Sequence, residues 1–256
     1  MIALVTGASS GIGRDIARVL ASKGYDIIAV ARNVERLEEL KNEIENKCDR
    51  KVYVKICDLT NRDAIFKLHE DVFNEFGVID ILVNDAGFGL CGMFSETDLN
   101  KEIAMIDTNV TAVHILTKLF LKDMMKNDKG HILNVGSIAG FMPGPLMATY
   151  YSTKNYIVKL TQSLHFELGR QHSHVKVHAL CPGPVNTNFN KTAEVKFNLA
   201  EANSMMVAKY AVRKMFWNRL LIFPGVGVWI SRLFAKICPD QLMAGICYLA
   251  QRRKIQ

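Results

Sequence analysis

The sequence contains no Cys-x-x-Cys pair, no cysteine and histidine spacing suited to a metal, no low-complexity tract and no internal repeat. Its six cysteines (Cys48, Cys57, Cys91, Cys181, Cys238 and Cys247) sit mostly in apolar surroundings, where the residue behaves as a small hydrophobe. A disulfide scaffold and a structural metal are therefore set aside, and a reducing, intracellular setting is expected. A long unbroken apolar run is missing too. Residues 220–231 carry no acid or base, but the stretch is short and interrupted by Pro224, Gly225 and Gly227, so integral membrane insertion is not expected. The first strand-like run begins at the second residue, which leaves no room for a signal peptide and points to the cytoplasm. His172, His174 and His178 lack cysteine or carboxylate partners, so no metal site is expected there. No G-x-S-x-G elbow gathers Ser163, His165 and Glu167 into a hydrolase triad.

Basic residues outnumber acidic ones, 32 to 25, but they are scattered, and the densest cluster is Arg252, Arg253 and Lys254. Nucleic acid is not the expected partner; a phosphate-rich cofactor or simple solubility accounts for the charge. At 256 residues and 49% hydrophobic, the chain is expected to fold as a single domain over 1–256, with 225–256 an apolar and basic helical extension.

What the chain does have is a regular alternation of apolar runs and helical patterns. IALVT, DIIAVA, KVYVKICDLT, IDILVNDAG, GHILNVGS, HVKVHALCPG and RLLIFPG read in order as seven strands. Between them lie DIARVLASKG, with Gly24 as expected C-cap, and NVERLEELKNEIENK, with Asn33 as expected N-cap. Further helices are expected over NRDAIFKLHEDVFNEFG and roughly over 97–109, 110–126, 149–169 and 204–217. The alternation predicts an α/β fold, a Rossmann-type doubly wound parallel sheet of seven strands with helices on both faces.

The first strand-to-helix junction is glycine-rich, with Gly7, Gly11 and Gly13 spaced G-x-x-x-G-x-G. Glycines there permit close backbone approach, and the amides at a helix N-terminus attract phosphate. A dinucleotide site expects a carboxylate about twenty residues on, holding the ribose 2′-hydroxyl. This chain has Ala31 and then Arg32, a pairing that suits a 2′-phosphate and hence NADP. Asp58 follows the third strand at the sheet edge where ligands bind.

The stretch 137–154 carries the chemistry: a serine at a strand end, a Gly/Pro-rich loop, and a helix with Tyr150 and Lys154 four residues apart. Positions i and i+4 share a helical face, and an ammonium beside a phenol lowers its pKa from about 10. Such a phenol suits acid or base catalysis near neutral pH.

Taken together, TGASSGIG, the NDAG of 84–87, Asn109, Ser137, the YxxxK of Tyr150 and Lys154, and PGPVNT at 182–187 resemble the classical short-chain dehydrogenase/reductase family, in its NADP-preferring form. The resemblance implies an NADP(H)-dependent oxidoreductase, a carbonyl reductase or alcohol dehydrogenase that moves a hydride between nicotinamide and a ketone, aldehyde or secondary alcohol. It implies Tyr150 as general acid and base, Lys154 on the nicotinamide ribose, and Ser137 bonding the substrate oxygen. Asn109 would anchor a water that links Lys154 to solvent. For the cofactor it implies Gly7, Ser9, Ser10, Gly11, Ile12 and Gly13 at the turn, then Arg32, Asp58 and Leu59 toward the adenosine. Asn84, Ala86 and Gly87 would follow the fourth strand, and Pro182, Gly183, Val185 and Thr187 would run along the carboxamide. A homodimer or homotetramer is also implied. One departure is Asp85, where asparagine is usual. Tyr151 adjoins Tyr150, and the spacing to Lys154 favours Tyr150.

Outside these motifs Phe88, Leu90, Met142, Leu146, Phe189, Met205 and Met206 are the candidate substrate wall, and their character predicts an apolar, moderately bulky carbonyl or alcohol. The tail 225–256 leaves three readings open: a wall of the substrate pocket, a helical pair on a subunit interface, or peripheral membrane contact through an interfacial helix. The alternatives to catalysis are a catalytically idle NADP-binding regulator and a membrane-surface protein.

Overall fold

The structure, a computed structural model, describes residues 1–186 and 202–255. Seven strands form one parallel sheet in the order β3-β2-β1-β4-β5-β6-β7: β1 Ile2–Thr6, β2 Asp26–Ala31, β3 Val52–Ile56, β4 Ile81–Asn84, β5 His131–Val135, β6 Lys176–Leu180 and β7 Leu221–Ile222. The order reverses between β1 and β4, the switch point at which doubly wound sheets open a crevice beyond their strand ends.

Both faces of the sheet are buried, which is why the strands read as near-continuous apolar runs. Ala3, Val5, Ile27 and Ala29 face one core with helices α1 (Gly11–Ala21), α2 (Val34–Cys48) and α7 (Ser204–Phe216). Leu4, Ile28, Val30 and Leu82 face the other with α3 (Arg62–Phe76) and α5 (Val113–Lys126). Helix α6, Ala148–Arg170, packs beside β6 and sends Leu168 into that second core.

The helix boundaries follow local chemistry. Asn33 caps α2 by accepting from the Arg36 amide at 2.8 Å, as expected. Gly24 does not cap α1; Ser22 does, and Gly24 takes φ +90° where the chain turns into β2. Helix α4, Leu99–Ile106, runs through a π-type turn at Asp107–Ala112 into α5 without a break, so the two expected stretches are one bent rod. By length and composition the rod 99–126 could span a bilayer, but Met105, Leu116, Phe120 and Met124 are buried in the protein. After β7 come α8, Val226–Ile237, and α9, Asp240–Ile255.

Candidate active site

At the switch point Thr6 fastens β1 to β4: its hydroxyl donates to the Val83 carbonyl and accepts from the amides of Asp85 and Ala86. The glycine turn seats on this corner. Gly7 has φ +70°, and a Cβ there would fall 2.9 Å from the Ala86 nitrogen. A Cβ on Gly13 would fall 2.5 Å from Asp85 Oδ2 and 2.7 Å from the Gly7 carbonyl oxygen. The spacing thus reflects two close approaches, and the Ser10 side chain at the head of α1 caps none of the first helical amides.

A cavity of about 940 Å³ opens along this edge. Gly7, Ser9, Ser10, Gly11 and Ile12 line its middle, and Arg32, Asp58 and Leu59 line one end. The Asp58 carboxyl accepts from the amide and hydroxyl of Thr60 and lies near Arg32, which together hold it below the usual carboxylate range. At the other end lie Ala86, Gly87, Phe88, Leu90, Ser137, Tyr150 and Lys154, with Pro182, Gly183 and Val185 along the side.

Ser137 follows β5, and its Oγ accepts from the Ala139 amide at 3.1 Å. Tyr150 stands in the first turn of α6 and shares a hydrogen bond with Ser137. Burial nevertheless outweighs that bond and pushes the phenol up to about 12, the reverse of the expected lowering. Lys154, four residues on, is held by another partner. Its Nζ donates to the Val135 carbonyl at 2.9 Å and lies 5.8 Å from the Tyr150 ring centre. Burial pulls the ammonium down to about 8, with Asp85 opposing the fall. Asp85 is itself pushed up to about 7 by burial, despite Lys154 and a hydrogen bond with the Gly13 amide.

Asn109 is fully buried in the π-type turn. Its side chain accepts from the Phe88 amide at 3.1 Å and donates to the Phe88 carbonyl and to Thr153 Oγ1. Thr153 in turn donates to the Tyr150 carbonyl at 2.7 Å. These bonds lock the loop after β4 against α6. Glu102 does similar work from α4, accepting from the hydroxyls of Thr97 and, at 2.7 Å, Thr149.

Several expected residues lie elsewhere. Met205, in the first turn of α7, is half-buried against the core, and Met206 is 60% exposed, because the buried stripe of that helix runs through Val207, Ala208, Ala211, Val212 and Met215. Met142 and Leu146 are not on the cavity wall; Leu146 turns away at φ +64°, and Met147 takes its place. Asn84 and Gly13 sit behind the wall. Asn84 is buried and donates to Thr117 and Asn134, tying β4 to α5 and β5, while Gly13 serves the close approach of α1. Thr187 and Phe189 lie outside the described residues.

Other lining residues were not expected: Asp85, Met147, Tyr151 and Gln251. Tyr151 lies edge-on to Tyr150, ring centres 6.1 Å apart, and accepts a hydrogen bond from Gln251 Nε2 at 2.5 Å. The sequence held one signal for Gln251: Met243, Cys247 and Gln251 recur every fourth residue, and all three are buried on an otherwise exposed helix.

With the geometry in place, a family model described as short chain dehydrogenase matches residues 1–196. An uncharacterized oxidoreductase of Staphylococcus saprophyticus is 36% identical over 186 residues, 73% of this chain and 79% of that protein. Among solved structures, a short-chain dehydrogenase from Sphingobium yanoikuyae in complex with NADPH superposes with a TM-score of 0.84 at 27% identity, covering 96% of this chain and 95% of that one. A bulky-bulky ketone specific alcohol dehydrogenase from Comamonas testosteroni gives 0.79 at 26% identity, covering 92% and 91%.

Proposed function

Because the chain belongs to the short-chain dehydrogenase/reductase family and is an oxidoreductase of that class, we propose that it is an NADP(H)-dependent carbonyl reductase acting on bulky ketones or aldehydes, and on secondary alcohols in reverse. One observation carries the reading: Ser137, Tyr150 and Lys154 meet at one end of the cavity whose other end holds Arg32 beside Ala31. The cavity suits a dinucleotide, since the glycine turn and the head of α1 line its middle. One solved neighbour supports the cofactor, the Sphingobium structure being in complex with NADPH. When bound, the nicotinamide supplies the hydride.

The remaining work falls to this chain. Arg32 holds the 2′-phosphate, and the amides at the head of α1 hold the pyrophosphate. Ser137 donates to the substrate oxygen as charge develops on it. Tyr150, protonated at neutral pH, gives that oxygen its proton. Lys154 orients the ribose hydroxyls and supplies positive charge behind the phenol. Asn109 acts by fixing Phe88 and Thr153 around it. The reading takes 1–256 as one domain, a cytoplasmic setting and a homodimer or homotetramer. A screen of NADPH oxidation against ketones graded by size and polarity tests it; no turnover with any of them would favour the idle cofactor-binding regulator.

A second reading, peripheral contact with an anionic membrane, is favoured by the exposed apolar stripes of the last two helices. Val226, Ile230, Phe234 and Ile237 on α8, and Leu242, Ile246 and Leu249 on α9, are exposed at helical spacing. Lys236 and Arg252 are exposed with them, and Asp240 is the one acid in 226–255. Co-sedimentation with anionic but not neutral vesicles, lost on Trp229→Glu with Ile230→Glu, is the expected result, and a supernatant protein under both conditions ends this reading.

A further inference from the structure

We infer that the cavity holds a second polar anchor for its substrate, the carboxamide of Gln251, and that the enzyme selects carbonyl compounds bearing a hydroxyl remote from the reacting carbon. The inference rests on the carbonyl-reductase reading only for the identity of the reacting end.

The geometry is specific. Gln251 is 2% exposed, lines the cavity and comes from the last helix of the described chain. Its carboxamide has two ends. Nε2 donates to Tyr151 Oη at 2.5 Å. Oε1 is buried and has no partner among the described residues. Buried amide oxygens are nearly always paired, because leaving one dry forfeits the hydration it had in the unfolded chain. An unmatched acceptor in a cavity wall is therefore an address for a donor brought by the ligand.

The support beneath this anchor is rigid. Tyr151 lies flat on Gly144, where any Cβ would fall 2.1 Å from the ring's Cγ. Burial raises the Tyr151 phenol and keeps it protonated. Gln251 thus has one fixed partner at Nε2, an acceptor at Oε1 left free among the described residues, and a place in the cavity lining. Tyr151 stands between Gln251 and the candidate acid, edge-on to Tyr150 with ring centres 6.1 Å apart. The anchor accordingly serves a part of the substrate away from the carbonyl. Phe88, Leu90 and Met147 make the nearby wall apolar, and a lone polar group in such a wall orients a ligand and rejects analogues that leave the group unpaired. A hydroxyl matches it, being a compact donor. The substrate class thereby narrows from apolar ketones to amphiphilic ones.

The test uses 2-octanone and its 5-, 6-, 7- and 8-hydroxy derivatives as probes. Binding to the protein loaded with NADP is followed by calorimetric titration, and NADPH oxidation is measured on the same compounds. The wild-type protein should bind at least one hydroxy derivative about tenfold more tightly than 2-octanone, in line with one hydrogen bond to a buried group. Gln251→Met, which keeps the volume and removes the acceptor, should bring that ratio close to one. Tyr151→Phe, which frees Gln251 without removing it, should keep the preference. A wild-type protein that favours no hydroxy derivative, or a Gln251→Met variant that keeps the full preference, overturns the inference. Oxidation of NADPH with a flat hydroxyl ratio would leave the reductase reading standing and remove the anchor. A clear ratio without oxidation would do the opposite.

Discussion

The Lys154 ammonium donates to the carbonyl of Val135 at 2.9 Å, tying the helix of the candidate acid to the strand that leads to Ser137. The amine is thereby held in place, and burial pulls it down to about 8 while Tyr150 is pushed up to about 12. Of the two, the lysine is the group whose charge changes within the working pH range. The pH profile of kcat/KM for ketone reduction should therefore fall on its alkaline side near pH 8, as Lys154 loses its proton. An activity that stays flat through pH 10 would show that the ammonium is not required.

Replacement of Tyr150 by phenylalanine should lower turnover by roughly two to four orders of magnitude, the usual contribution of a positioned acid. NADPH affinity should stay within a few-fold of wild type. Tyr151→Phe should keep most of its turnover on simple ketones. A Tyr150→Phe enzyme that turns over at the wild-type rate would remove the phenol from the mechanism.

Arg32→Ala should separate the two nicotinamide cofactors. Loss of a charge-assisted contact is worth about 1.5–3 kcal/mol, so NADPH should bind roughly ten- to a hundredfold more weakly. NADH, which offers no 2′-phosphate, should change little. Equal losses for both cofactors would place Arg32 away from the ribose.

Asp85 links the active-site corner to stability. Its folded pKa of about 7 lies above that of an exposed aspartate, so the folded state binds its proton more tightly than the unfolded chain does. The favourable contribution is complete below about pH 4 and fades as pH rises toward 7. Asp85→Asn keeps the size, removes the titration, and should raise the melting temperature at pH 8 more than at pH 5, by an amount on the order of 2 kcal/mol in the difference. Thermal denaturation of both proteins at the two pH values decides it: parallel shifts would mean that the carboxylate stays charged in the folded protein.

Much of this was readable from the chain because it depends on local pattern. Ala3, Leu4 and Val5 are apolar on both faces of a strand, and that alone requires helices above and below. The glycine turn and the spacing of Tyr150 to Lys154 are likewise local, and both ends of the cavity follow from them. What depends on tertiary packing was not readable. The direction of the Tyr150 shift is set by how deeply α6 sits, not by its neighbour four residues on. Met205 looks like a pocket residue until the buried stripe of α7 turns it toward the core. Gln251 carries no motif, and only its fold partner Tyr151, 100 positions earlier, gives it meaning.

That separation along the chain sets an order in time. Cavity-lining residues from Gly7 to Gly87 leave the ribosome early, whereas the bond from Gln251 to Tyr151 forms only after a further 100 residues have followed Tyr151. At roughly 5–20 residues per second, that wait is on the order of 5–20 s. A nascent chain would therefore hold the glycine turn and Arg32 well before it held the wall that Gln251 completes.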